Sequence, residues 1–231
     1  MGTLKVVTVD PSNVKHIIAT SFNQFEKGEK FHDMLEGFLG TGIFNSDGDT
    51  WKLTFLDYLV TVSNDPSLIR DSLISFLLAG RDTTASLLTF IIYVLALHPD
   101  VCNQLAKEIN ETVCEDRLCT FEEIKSMRYL RATINETLRL FPPVPFNIRR
   151  STSNPSILPS NSSEARDGLF LYPRCSVTYS LLHIHRRKDI WGEDAEDFKP
   201  ERWLADDSKR VHVTNPFAFL PFNGGPRMVK T

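Results

Sequence analysis

The segment SLISFLLAGRDTTASLLTFIIYVLAL, from Ser72 to Leu97, is apolar on nearly every face of a helix. A helix with no polar face belongs in the middle of a protein, so the pattern predicts a long buried helix. Its centre breaks the pattern. Ala79-Gly80-Arg81-Asp82-Thr83-Thr84 puts a glycine, two charges and two hydroxyls into a dry run. Glycine costs about 1 kcal/mol relative to alanine in a helix interior, and a threonine that bonds back to the carbonyl one turn earlier bends the axis. One use for such a stretch is a widened turn that admits a small molecule, with an acid and a hydroxyl to pass it protons. The other is a plain helix with a snorkelling arginine and capped threonines. The pattern alone leaves both open.

His98-Pro99-Asp100 closes the segment. Beyond it, Val101, Leu105 and Ile109 mark one face of a second helix, and Leu130, Ile134 and Leu138 one face of another. Phe141-Pro142-Pro143-Val144-Pro145 stops that helix and forces extended backbone. Upstream, LKVVTV predicts a strand, Asp10-Pro11-Ser12 a turn, and Val14–Ser21 a helix. Residues 37–50 and the Ser/Asn/Pro-rich tract from Ser151 to Gly168 predict loops, with short strands at Leu169–Tyr172 and Val177–Ser180. The fold class expected is mainly α with small β-sheets.

Composition narrows the function. The 231 residues are 42% hydrophobic and 24% charged, as in an ordinary globular protein. A formal net charge of −3 gives no basic footprint for nucleic acid. The four cysteines, Cys102, Cys114, Cys119 and Cys175, form neither a disulfide framework nor a zinc knuckle. Arg81 and Asp82 divide the apolar segment into pieces shorter than a bilayer span, so no membrane anchor is expected in this chain. The run HIHRRKD, with His183, His185 and Asp189, reads as a basic strand end rather than a metal site. Asn110, Asn135 and Asn161 open Asn-x-Ser/Thr triplets, which without a secretory signal read as chance.

Three further motifs follow the apolar helix. Glu136-Thr137-Leu138-Arg139 sets a glutamate and an arginine three apart on one helix face, where they can pair. Phe198-Lys199-Pro200-Glu201-Arg202-Trp203 adds a second arginine with aromatic flanks. A buried glutamate held between two arginines would form a structural clamp, costing several kcal/mol to break. Last comes Phe222-x-x-Gly225-x-Arg227, in which Gly224 and Gly225 let backbone approach a ligand and Arg227 can neutralise a carboxylate or phosphate.

In this order, A-G-x-D-T-T, E-x-x-R, P-E-R-W and F-x-x-G-x-R resemble a cytochrome P450. The resemblance covers nearly all of residues 53–229, and LKVVTV through Asp49-Thr50-Trp51-Lys52 resembles an earlier part of the same fold. It implies a partial cytochrome P450 fold in two segments, 1–52 and 53–231. The A-G-R-D-T-T form and PPVPFNIRR resemble fungal and plant members that hydroxylate alkanes and fatty acids. The resemblance implies haem as cofactor, held in the family by a cysteine thiolate. It matches Asp82 and Thr83 to the acid–alcohol pair that delivers protons, and Ala79 and Gly80 to the kinked turn beside them. Glu136, Arg139 and Arg202 match the structural clamp. Trp51, Arg149 and Arg227 fall at propionate-contacting positions, and Phe222 and Gly225 in the haem loop. The implied chemistry is insertion of one oxygen atom into a C–H bond of a lipophilic substrate. Electrons would come from NADPH–P450 reductase, and the family's place is the endoplasmic reticulum membrane; for a chain without an anchor the sequence assigns no location, the cytoplasm being one option.

Departures from the family pattern change that expectation. The motif puts the cysteine at position 229, which here is Val229. On the family pattern, the helix that normally follows the cysteine, the anchor and the first strand region are expected to be missing. Trp51-Lys52 runs straight into Leu53-Thr54-Phe55, which implies loss of a large helical part, and Phe55 stands where an arginine is expected. The chain is therefore expected to be inactive as a monooxygenase: a spliced, misread or truncated product acting, if at all, as a protein-binding fragment. An unrelated helical binding module also fits the composition, but it leaves four ordered motifs to chance.

Overall fold

Strand pairing between residues far apart in the chain organises the first of two units. The computed structural model describes residues 5–28, 33, 65–113, 118–159, 168–204 and 215–225. One unit comprises Met1–Thr83, Phe146–Ser180 and Phe222–Thr231, the other Thr84–Pro145 and Leu181–Pro221. The boundary expected between residues 52 and 53, the loop expected over 37–50, Trp51, Phe55, Cys114, Asn161, Arg227 and Val229 lie outside the described residues.

In the first unit, β1 (Lys5–Thr8) leads into α1 (Pro11–Lys15). The Asp10-Pro11-Ser12 run, expected as a turn, is the start of this helix. Asp10 Oδ1 accepts the Ser12 N–H at 2.8 Å, and Pro11 occupies the first turn, where its missing N–H costs nothing. The chain continues as one π-helical turn, His16–Thr20, that buries Ile17 and Ile18, and then forms β2 (Phe25–Glu26). Three later strands, β3 (Phe146–Ser151), β4 (Ser156–Leu158) and β5 (Leu169–Leu171), precede β6 (Ser176–Ser180). The main sheet has the order β1-β6-β3-β2, with β1 parallel to β6 and the other pairs antiparallel. Alternation in β6 puts Val177 and Tyr179 on one buried face, as its period-2 pattern requires. β4 lies inside the tract expected as loop. It pairs with β5, burying Leu158 and Leu171, and Ser156 Oγ donates to Gln24 Oε1 at 2.7 Å.

The apolar segment lies in α2 (Pro66–Leu97), which begins in the first unit and ends in the second. Its burial is not as expected. Leu77, Leu88 and Ile92 are 69%, 54% and 70% exposed, while Ser72, Ser75 and Val94 are buried. Apolarity states which faces gain from cover, and among the described residues only parts of this helix have it, such as Phe90 stacked on Phe141 with centroids 4.6 Å apart. Nor do Arg81 and Asp82 divide it. Ser67–Leu97 is one helix, by length and composition alone long and apolar enough to cross a membrane. Gly80 lies inside the α-helix, and a Cβ there would meet no atom within 4 Å beyond the helix's own backbone.

In the second unit α3 (Pro99–Thr112), α4 (Phe121–Ser126) and α5 (Arg128–Leu140) follow. Val94, Val101, Leu105, Tyr129, Leu140 and Phe198 form its apolar core with Leu130 packed against it, while Ile109, expected on the same face of α3, is exposed. A capping box between Thr120 and Glu123 starts α4. Met127 supplies no side-chain cap to α5. Glu108 of α3 does so instead, accepting the N–H groups of Tyr129 and Leu130 at 2.8 Å each. After the prolines the Leu181 N–H donates to the Pro145 carbonyl at 2.9 Å and α6 (Leu181–Ile184) begins. The HIHRRKD run therefore spans α6 and the start of α7 (Lys188–Trp191), not a strand end.

Candidate functional site

The second unit buries an ion pair. Glu136 and Arg139 stand one turn apart on α5, and neither side chain has exposed surface. Arg139 Nε donates to Glu136 Oε2 and Nη2 to Oε1, both at 2.8 Å, a bidentate pair. Oε1 also accepts the Lys199 N–H at 3.0 Å and Arg202 Nε at 3.4 Å, while Oε2 accepts Trp203 Nε1 at 2.9 Å. The carboxylate is saturated by donors. Arg139 is saturated as well: Nη1 donates to the carbonyls of His185 at 2.7 Å and Ala195 at 2.5 Å, and Nη2 to that of Asp197 at 3.1 Å. Two buried charges persist at such a site because geometry and extra hydrogen bonds compensate their lost hydration.

The residues around the pair hold it shut. Arg202 sits in the 3-10 turn Pro200–Trp203 and also donates to Asp194 Oδ1 at 3.2 Å and to the carbonyl of Trp191 at 3.0 Å. The hydrogen bond from Lys199, and then that from Arg202, pull the Asp194 carboxyl down to about 2. Trp191, Trp203, Ala132 and Ala195 pack as a second apolar cluster, with Phe219 against both indoles. The Arg139 guanidinium lies 5.2 Å from the Trp191 ring centre, a cation–π contact in a dry setting. The structure thus brings Glu136, Arg139 and Arg202 together. Sequence reasoning missed Glu108 and the acceptor carbonyls of Ala195 and Asp197, read His185 only as part of a basic run, and named Trp203 only as a flank. No local pattern marks them, because each acts on a residue distant in the chain.

The other expected site residues belong to the first unit. Thr83 Oγ1 donates to the Ala79 carbonyl at 2.7 Å, the back-bond expected of a helical threonine. Asp82 is exposed and pairs with its neighbour Arg81 at 3.1 Å. Arg149, on β3, is buried, and Nη1 donates to the Ile148 carbonyl at 2.8 Å. Among the described residues no carboxylate pairs with this guanidinium. Phe222 is half exposed, and Asn223 Oδ1 accepts the Tyr179 hydroxyl at 3.1 Å. Gly225 has φ of +70°, and a Cβ built there would fall 1.9 Å from the Ile18 carbonyl oxygen. Its close neighbour is protein backbone.

Arg149 could take a carboxylate such as a haem propionate, but an iron ligand is a different matter. Val229 has no donor atom. Of the described cysteines, Cys102 and Cys119 are exposed, while Cys175 is buried, its Sγ 3.8 Å from the Ser176 carbonyl and its thiol pKa raised by burial. None belongs to the 222–227 loop. Among the described residues no group of three or more His, Cys, Asp or Glu could hold a metal ion. The described residues do not fit a thiolate-ligated haem.

A family model for Cytochrome P450 matches residues 54–228. The chain is 34% identical over 210 residues to Cytochrome P450 52A3-A of Candida maltosa, covering 86% of this chain and 39% of that protein. It is 39% identical over 179 residues to Cytochrome P450 52A6 of Candida tropicalis, covering 75% and 33%. It is 42% identical over 177 residues to Cytochrome P450 monooxygenase himC of Aspergillus japonicus, covering 75% and 30%. The chain spans about a third of the length of these relatives.

Proposed function

The chain belongs to the cytochrome P450 family, and from that premise we propose that it retains the family's structural clamp but not its oxygen chemistry. The activity of the family, as the motifs suggest it here, is hydroxylation of a lipophilic alkane or fatty acid. Haem-thiolate supplies the O–O cleavage, and NADPH–P450 reductase the electrons, at the endoplasmic reticulum membrane. The observation that carries the reading is Val229 at the ligand position of F-x-x-G-x-R-x-C. Valine offers iron neither lone pair nor charge, so the electron push of a thiolate is unavailable there. Asp82, the acid that would relay protons, is exposed and paired with Arg81, which gives no support to a shielded proton path. The test is incubation of the purified chain with haem, NADPH–P450 reductase, NADPH and a medium-chain fatty acid or alkane. No hydroxylated product is expected, and product above the haem-only control would overturn the proposal.

A second reading, a non-catalytic product that acts by protein contact, is favoured by the exposed apolar residues Leu77, Leu88, Ile92 and Leu97 of α2. Fractionation with a concentration-dependent complex supports it, and a dilute, monodisperse monomer contradicts it.

A further inference from the structure

A buried imidazole joins the clamp to the residues that lead into the 222–227 loop. His185 follows α6 directly and has no exposed surface. Its Nδ1 lies 3.1 Å from the carbonyl oxygen of Arg139, and its Nε2 lies 3.1 Å from the backbone nitrogen of Leu220. The two partners leave the ring one state. A carbonyl has no proton to give, so Nδ1 must be the donor. A backbone N–H has no lone pair to offer, so Nε2 must be bare and accept. The imidazole is neutral, with its proton on Nδ1. Burial, followed by the charges of Arg139 and Arg186, also disfavours the protonated ring and brings its pKa down to about 3.

The same residue meets Arg139 twice. Its backbone carbonyl accepts Arg139 Nη1 at 2.7 Å, while its ring donates to the Arg139 carbonyl. Phe219 packs on the ring with centroids 5.3 Å apart, which limits its rotation. Leu220, held by Nε2, is two residues before Phe222 in the chain. Any displacement of the carbonyl end of α5 is therefore passed to Leu220 through a rigid five-membered ring.

We propose that His185 is a positioning residue, a neutral strut that holds the Leu220 backbone at a fixed distance from the carbonyl end of α5, which carries the Glu136–Arg139 clamp. The strut does not rest on the family reading above, and its test needs no haem. Ring 15N chemical shifts of the whole chain, measured at neutral pH, report the tautomer. Amide hydrogen exchange at Leu220, compared with Leu105 in α3, reports the strut.

The expected result is a neutral ring protonated at Nδ1. In His185→Phe, Leu220 exchange should accelerate at least about tenfold more than Leu105 exchange, because one specific hydrogen bond is lost. His185→Gln has an amide donor and a carbonyl acceptor for the same two partners, so it should restore most of that protection. A ring protonated at Nε2, or equal changes at Leu220 and Leu105 in both variants, would overturn the proposal. If His185→Phe does not fold, the wild-type tautomer and the Leu220 protection of His185→Gln decide it. Oxygenation by the haem-reconstituted chain would overturn the functional reading and leave this one standing.

Discussion

Replacing Glu136 by glutamine changes one atom's identity and removes one charge from the centre of the second unit. Glutamine cannot accept the whole donor set. Glu136 takes Arg139 Nε, Arg139 Nη2, Lys199 N, Arg202 Nε and Trp203 Nε1, and a glutamine amide group would turn a donor toward at least one of them. The Arg139 guanidinium, with no exposed surface, would keep its charge without a counter-ion. Removing one partner of a buried pair costs about 3–5 kcal/mol, a large part of a stability of about 5–15 kcal/mol. With a urea slope of roughly 2–3 kcal/mol/M, the midpoint should fall by about 1–2 M. Trp191 and Trp203 lie against the pair and make tryptophan fluorescence the natural assay. Adding Arg139→Met should recover part of the loss. The rest should remain, because the carbonyls of His185, Ala195 and Asp197 lose their donor. A midpoint shift below about 0.3 M for Glu136→Gln would refute the claim that the pair is a buried, saturated clamp.

Other changes probe the supports. Gly225→Ala combines a positive φ with a Cβ 1.9 Å from the Ile18 carbonyl oxygen, so it should cost more than about 1 kcal/mol, and an unchanged Tm would contradict this. Glu108→Gln weakens the only side-chain cap seen on α5 among the described residues. A loss of about 1–2 kcal/mol, or about 3–6 °C in a thermal scan, is expected. The depressed pKa of His185 has a defined sign. The unfolded chain takes up a proton near pH 6.5 that the folded chain refuses until about 3, so this stability is complete above pH 6.5 and declines as pH falls through that window. In urea titrations that part of the slope, about 1.4 kcal/mol per pH unit, should be absent from His185→Gln. A slope unchanged by the substitution would assign it to other groups.

What could be read from the sequence divides by distance along the chain. The spacing of Val101 and Leu105, and that of Glu136 and Arg139, are contacts within one helix, so the pattern already contains them. The burial of that pair is not local. It depends on Lys199, Arg202 and Trp203, which lie 63, 66 and 67 positions downstream. His185 reads as one more charge in a basic run until its partners, 46 and 35 positions away, turn it inward. Asp10-Pro11-Ser12 has the composition of a turn and the geometry of a helix start, and the Val14 N–H donating to the Asp10 carbonyl at 3.0 Å tells them apart. The apolar faces of α2 state a need for cover, but they do not supply the cover. Leu77 and Ile92 are exposed for that reason.

The central claim is that the F-x-x-G-x-R scaffold is present without a donor for iron. Haem titration of the purified chain, followed by the reduced carbon monoxide difference spectrum, tests it most directly. The account predicts no thiolate-type Soret band, only the signal of free or histidine-ligated haem. A thiolate-type band would mean that a cysteine reaches the iron, and Val229 would not be the decisive residue.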